Sequence, residues 1–153
     1  MTISFAGHSL VPLSEKVEEI TKEQIRRIIA GEERVTCYLG GYGDFDEICA
    51  RACRKLKGER EGIDLVYVTP YISLAEQEKT KSMQSRGLCD AVVYPPIENV
   101  PPKFAITKRN AWMMENADVV IAYVKHRYGG AFRSLQIAKR YNKRIINLCD
   151  FME

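Results

Sequence analysis

Short runs of consecutive apolar residues alternate along this chain with stretches in which apolar residues recur every three or four positions. The first pattern marks strands buried on both faces and the second marks helices with one buried stripe. The runs 3–6, 35–39, 63–69, 91–94, 119–124 and 144–148 are the expected strands. Val119 to Val124 is apolar at nearly every position, as a central strand should be. Between them, a first helix is expected to start at a capping box, Thr21 with Gln24, stapled by Ile20 and Ile25. Its stripe is Ile25, Ile28 and Ile29, and Gly31 is its stop. Helices are also expected over 44–57, ending at Gly58, and over 74–85, 103–116 and 132–141. The 74–85 segment is poor in large apolar residues and should be exposed, and Pro101-Pro102 should keep 97–102 as a loop.

Strands alternating with helices imply right-handed crossovers. The expected fold is therefore α/β, a single Rossmann-like domain over 1–153 with a mostly parallel sheet and helices on both faces. Ligands of such sheets sit outside the carboxyl ends of the strands, at a topological switch point. Three loops follow strand ends with glycine: Gly7-His8-Ser9, Gly40-Gly41-Tyr42-Gly43 and Gly129-Gly130-Ala131. The latter two each open a helix. A helix N-terminus offers free N–H groups at the positive end of a dipole, which suits phosphate. Glycines also end strands for steric reasons alone.

Composition narrows the class. The hydrophobic share of 46% and charged share of 28% are those of an ordinary globular domain. No apolar run approaches the roughly 20 residues that cross a bilayer, and the N-terminus lacks the pattern of a signal peptide, so a cytoplasmic protein without a membrane partner is expected. The five cysteines form no C-x-x-C pair and read as buried free thiols, so no metal site and no cofactor is expected. A net charge of +3 argues against a nucleic-acid partner. The cations are nonetheless clustered, with Lys103, Lys108, Arg109, Lys125, His126, Arg127 and Arg133 around the second glycine turn. Such a rim suits an anionic small molecule, and a solvated surface would look the same.

Three segments together resemble the SLOG superfamily, the Rossmann-like group of LOG-type phosphoribohydrolases, DprA nucleotide-binding-like domains and small YspA-like proteins. Phe5-Ala6-Gly7-His8-Ser9 is similar to the F-x-G-H of YspA-like members, and Gly40 to Asp46 to their glycine turn ending in aspartate. Arg109-Asn110-Ala111-Trp112-Met113, then Ala117-Asp118 and Gly129-Gly130, is similar to the R-[KN]-x-x-M-x-x-x-[AS]-D segment and the G-G-T turn. The resemblance implies a nucleotide site, and self-association, since members commonly form oligomers with sites near subunit contacts. LOG-type enzymes break the N-glycosidic bond of nucleoside monophosphates with an arginine, matched by Arg109, and a glutamate. The glutamate position falls on Ser134 and the threonine of the turn on Ala131. The carboxylate of those enzymes is therefore missing at its usual place.

The candidate ligand-binding residues are Gly7, His8, Ser9, Gly40, Gly41, Tyr42, Gly43, Asp46, Arg109, Asn110, Gly129, Gly130, Ala131 and Arg133. Arg109 can fork onto phosphate, and Arg133 opposes the dipole of its helix unless an anion binds there. His8 is a candidate base contact or proton donor, and equally a satisfied structural histidine. Tyr42 can stack on a ring, whereas Trp112 and Met113 read as core. The leading function is binding of a nucleotide-derived small molecule, ADP-ribose-like, in sensing or sequestration. The alternative is a nucleotide N-glycosidase with Arg109, Asp46 and Glu47 as its catalytic groups, and a further one is DprA-like binding of single strands.

Overall fold

A computed structural model describes residues 1–152. Six strands form one sheet, all parallel: β1 (Thr2–Gly7), β2 (Val35–Leu39), β3 (Ile63–Val68), β4 (Ala91–Val93), β5 (Val119–Tyr123) and β6 (Arg144–Asn147). Their order is β4-β3-β2-β1-β5-β6, so the chain winds outward from β1 in one direction and then crosses back to place β5 on its other side. The switch point lies between β1 and β5, whose register runs from Ile3 opposite Val119 to Gly7 opposite Tyr123. β5 is buried at every position, as its unbroken apolar run requires of a strand covered on both faces.

Five helices cover the sheet: α1 (Ser14–Ile29), α2 (Asp44–Glu59), α3 (Leu74–Ser85), α4 (Ala105–Glu115) and α5 (Gly129–Arg140). One face carries α1 and α2, whose Ile25, Ile29, Phe45, Ile48 and Leu56 pack on Ile3, Cys37, Leu39 and Ile121. The other carries α4 and α5, where Met113, Met114 and Ala138 meet Ala6, Val68 and Val120. Trp112 belongs to this second layer, with its ring centroid 5.2 Å from that of Tyr38. Helix α3 buries only Thr80, in line with its lack of an apolar stripe. All five cysteines are free thiols, four of them buried.

Three elements start differently from the sequence expectation, and α2 runs through Gly58, its expected stop, to Glu59; the other bounds agree within two residues. Helix α1 begins at Ser14, seven residues before the expected cap. Thr21 is a mid-helix residue, fully buried, whose hydroxyl donates to the Val17 carbonyl at 2.7 Å. The Thr-x-x-Gln spacing imitates a capping box because a threonine that bonds the preceding turn also satisfies itself locally. The true start has Leu13 in the left-handed region (φ 55°) and no side-chain cap, a feature that no sequence pattern announces. Helix α5 starts at the glycines themselves rather than at Phe132, so Gly129 and Gly130 form its first turn. Pro102 opens a 3-10 turn, Pro102–Phe104, at the one helical position where a missing N–H costs nothing.

Candidate functional site

The carboxyl ends of β1 and β5 open into a cleft of about 460 Å³. Its floor is the β1 loop (Gly7, His8, Ser9) and its sides are Tyr42 and Asp46 from the α2 entry, Arg109 and Asn110 from α4, and the first turn of α5. The structure thus brings together ten of the expected residues, including Gly129, Gly130 and Ala131. Gly40 and Gly41 line a second, adjoining cleft. Gly43, Glu47 and Arg133 line neither. Glu47 turns outward, with Arg51 and Arg54 3.5 Å and 3.7 Å away.

The two glycine turns differ in kind. At the first, the protein fills its own helix N-terminus. Asp44 N–H donates to the Ser9 carbonyl at 2.9 Å, and the Asp44 carboxylate accepts from Val11 N–H at 3.0 Å. Asp46 accepts from Tyr42 N–H at 2.9 Å. The glycines here serve packing. A Cβ on Gly43 would lie 2.8 Å from the Ser9 backbone, one on Gly41 2.7 Å from the Tyr67 ring, and one on Gly7 inside the Phe45 side chain.

The second turn is empty of such devices. Helix α5, like α2, has no side-chain cap, but it also has no acidic residue in its first turn, and no described backbone carbonyl accepts from its first N–H groups. Gly129 needs its lack of a side chain for backbone reasons, since its φ is +90°. Gly130 has no such need: its φ is unexceptional, and a Cβ there would meet nothing within 4 Å. A glycine in a helix costs up to about 1 kcal/mol relative to alanine, and the packing of the chain offers no compensation at this position. Free N–H groups, an uncompensated dipole end and an open approach coincide there.

Arg109 is 2% exposed and sits between the clefts. Its Nη1 donates to the carbonyls of Gly40 and Val68, each at 2.8 Å, and its Nε donates to Asn110 Oδ1 at 2.9 Å. It therefore ties together the carboxyl ends of β2 and β3. Its Nη2 makes no hydrogen bond to any described residue, and no carboxylate among the described residues lies within ion-pair distance. Burial lowers the guanidinium's affinity for its proton, which the charge of Asp46 partly restores. Asp46 is the only carboxylate among the described residues lining the larger cleft. Burial raises its pKa to about 6, against the opposing pull of Tyr42 N–H and Arg109.

His8 is a structural acceptor. Its Nε2 takes hydrogen bonds from Lys125 N–H at 2.8 Å and His126 N–H at 3.4 Å, which places the proton of the neutral ring on Nδ1. Burial lowers its pKa, helped by His126 and Lys125. The His8 and His126 rings lie 4.8 Å apart, and His126 stacks on Tyr128 at 5.1 Å with a 16° interplanar angle. These rings wall the cleft, and Tyr128 is 70% exposed. The sequence places His126 only in the basic rim and gives no role to Tyr128. Their signal is the aromatic pair flanking Arg127, just before the glycines, which gains meaning only once β1 and β5 are neighbours.

None of Lys103, Lys108, Lys125, Arg127 and Arg133 pairs with a carboxylate among the described residues. On the opposite layer, Arg26, Arg51 and Lys55 are paired. Among the described residues, five cations at the cleft end are thus free of ion pairs, as are Lys139, Arg140, Lys143 and Arg144 at the other end of α5.

No described helix is long and apolar enough to cross a membrane. No family model and no curated protein matches the chain. Among solved structures it is similar to DNA processing protein A from Helicobacter pylori, with a TM-score of 0.60 and 16% identity. The similarity covers 95% of this chain and 63% of that one. That structure was solved to explain a single-stranded DNA binding mode. A net charge of +3 does not exclude a nucleic-acid partner, contrary to the sequence expectation, because this fold occurs in a protein that binds single strands and because net charge does not register where the cations lie. At this identity the comparison establishes a shared Rossmann-like fold, that of DprA, a group the sequence resemblance also names.

Proposed function

We propose that the crevice between β1 and β5 binds a phosphate-bearing nucleotide unit. The phosphate lies on the first turn of α5, and the base lies against the wall of His126 and Tyr128. The observation that carries this reading is Gly130, a helical glycine that neither backbone geometry nor packing requires, at an uncapped helix N-terminus lining the cleft. Membership of the SLOG superfamily is the matching family reading, supported by the motif resemblance and the shared fold. Binding rather than turnover fits Ser134, which lines the cleft where the resembling enzymes carry glutamate. If turnover occurs, Asp46 is the carboxyl group available for it.

A second reading has the unit as one nucleotide of a single strand. It is favoured by the five unpaired cations, which would follow a strand beyond the cleft, and by the single-stranded DNA binding described for the Helicobacter pylori protein. Calorimetric titration with 5′-AMP and with a thymidine oligonucleotide at two salt concentrations tests both. Saturable binding of 5′-AMP supports the first. Tighter binding of the strand, with affinity falling at a log–log salt slope of about −3, supports the second, since each neutralised phosphate of a single strand contributes about −0.7. Binding of neither contradicts both.

A further inference from the structure

The larger cleft has a neighbour. A second cleft of about 220 Å³ opens at the carboxyl ends of β2 and β3, and Tyr42, Ile106 and Arg109 line both. Its own walls are two tyrosines and a proline: Tyr67, Tyr71 and Pro70. Tyr67 is buried and its ring supports the Gly41 backbone, while Tyr71 is 42% exposed. Its lysine and its glutamate are already engaged. Lys79 lies 5.5 Å from the Tyr67 ring centroid, donates to the Tyr67 hydroxyl at 3.4 Å and pairs with Glu76 at 3.6 Å. Glu76 in turn accepts from the Thr69 hydroxyl. The second cleft therefore offers ring faces and hydroxyl groups, but no helix N-terminus and no unpaired lysine.

We infer that the two clefts form one bipartite site for a ligand with two nucleoside-like units joined through phosphate. One unit lies in the larger cleft and the ring of the other lies against Tyr71, while the anionic linkage passes Arg109. This deepens the nucleotide-unit reading above and rests on it. Arg109 is suited to the linkage because it is almost wholly buried, lines both clefts, and among the described residues has no carboxylate partner and no hydrogen bond at Nη2. Tyr71 is suited to the ring because its side chain is half-exposed, and its hydrogen bonds to Thr69 run through its backbone alone.

Such a linkage occurs both in pyrophosphate dinucleotides and in single strands, and the probes separate these sources. The affinities of 5′-AMP, NAD and the 3′,5′-linked dinucleotide pdAdA are measured at fixed ionic strength on the full chain and on Tyr71→Ala and Tyr71→Phe. At least one two-unit probe is expected to bind on the order of tenfold tighter than 5′-AMP, since a stacked base contributes about that much or more. Tyr71→Ala should remove that advantage without changing 5′-AMP affinity, and Tyr71→Phe should keep it. Preference for NAD identifies a small molecule, and preference for pdAdA identifies a strand. The inference is overturned if both two-unit probes bind no tighter than 5′-AMP, if Tyr71→Ala weakens 5′-AMP equally, or if Tyr71→Phe loses as much as Tyr71→Ala. Failure of all three probes overturns the crevice reading as well, whereas 5′-AMP binding alone leaves that reading standing.

Discussion

Replacing Gly130 with aspartate should make the protein more stable and its ligand weaker, and the opposite signs make the substitution diagnostic. Aspartate at the first turn of α5 interacts favourably with the helix dipole, by about 0.3–1 kcal/mol. It also removes a helical glycine, which adds a few tenths of a kcal/mol. Nothing lies within 4 Å of a Cβ at this position, so the gain is not cancelled by a clash. The sum, about 1 kcal/mol, corresponds to a rise of about 3 °C in Tm for a domain of this size. The same carboxylate would lie about 5 Å from a phosphate bound on the turn. At an effective dielectric constant of about 20 the repulsion is about 3 kcal/mol, on the order of a hundredfold in affinity. Thermal unfolding without ligand and calorimetry with 5′-AMP read the two effects separately. A higher Tm with unchanged 5′-AMP affinity would refute the placement of the phosphate. A lower Tm would refute the description of the turn as uncapped and open.

The glycines of the other loops should behave differently. Gly7→Ala drives a methyl group into Phe45 and should cost about 1–3 kcal/mol or more, seen as a drop in Tm. Asp46 has a folded-state pKa of about 6 against an ordinary value near 3.8, so the fold binds its proton more tightly than the unfolded chain does. Stability from this group is complete below about pH 3.8 and declines by up to about 3 kcal/mol as pH rises through 6. Asp46→Asn should accordingly be more stable than the natural chain at pH 8 and not at pH 4, measured by urea unfolding. For His8 the sign is reversed. Its pKa is lowered, so its contribution is present above its ordinary value of 6.5 and is lost as pH falls through the folded value. Protonation turns Nε2 from acceptor to donor, and the protection factor of Lys125 N–H, its exchange rate relative to the intrinsic rate at the same pH, should fall on acidification in the natural chain and not in His8→Asn. Arg109→Ala strips hydrogen bonds from the carbonyls of Gly40 and Val68 and should cost about 3 kcal/mol or more of fold stability, by urea unfolding. Loss of binding in that variant alone would not locate the phosphate.

Much of the architecture was legible because periodicity reports burial directly. The unbroken apolar run of β5 announces a central strand, and the weak stripe of α3 announces an exposed helix. The start of α1 was not legible, because it depends on Leu13 adopting a positive φ that its side chain does not favour. The site was legible in its positions and not in its division of labour. Both glycine turns look alike in sequence. Only tertiary contacts show that the Ser9 and His8 carbonyls accept from the first N–H groups of α2, and that no described residue does the same at the start of α5. Arg109 stood out as a candidate phosphate ligand, but its hydrogen bonds to two strand ends are made across 69 and 41 residues of sequence and have no local signature. The aromatic wall is hidden for the same reason, since His8 and His126 meet only through the pairing of β1 with β5.

The central claim concerns three backbone amides, and nitrogen–proton correlation NMR observes them one by one. Titration with 5′-AMP should move the N–H resonances of Gly129, Gly130 and Ala131 downfield, as hydrogen bonds to phosphate form. The resonances of Gly41 and Gly43, in the turn the protein fills for itself, should move little. Shifts confined to the Gly40–Gly43 turn, or none at saturating ligand, would contradict the account.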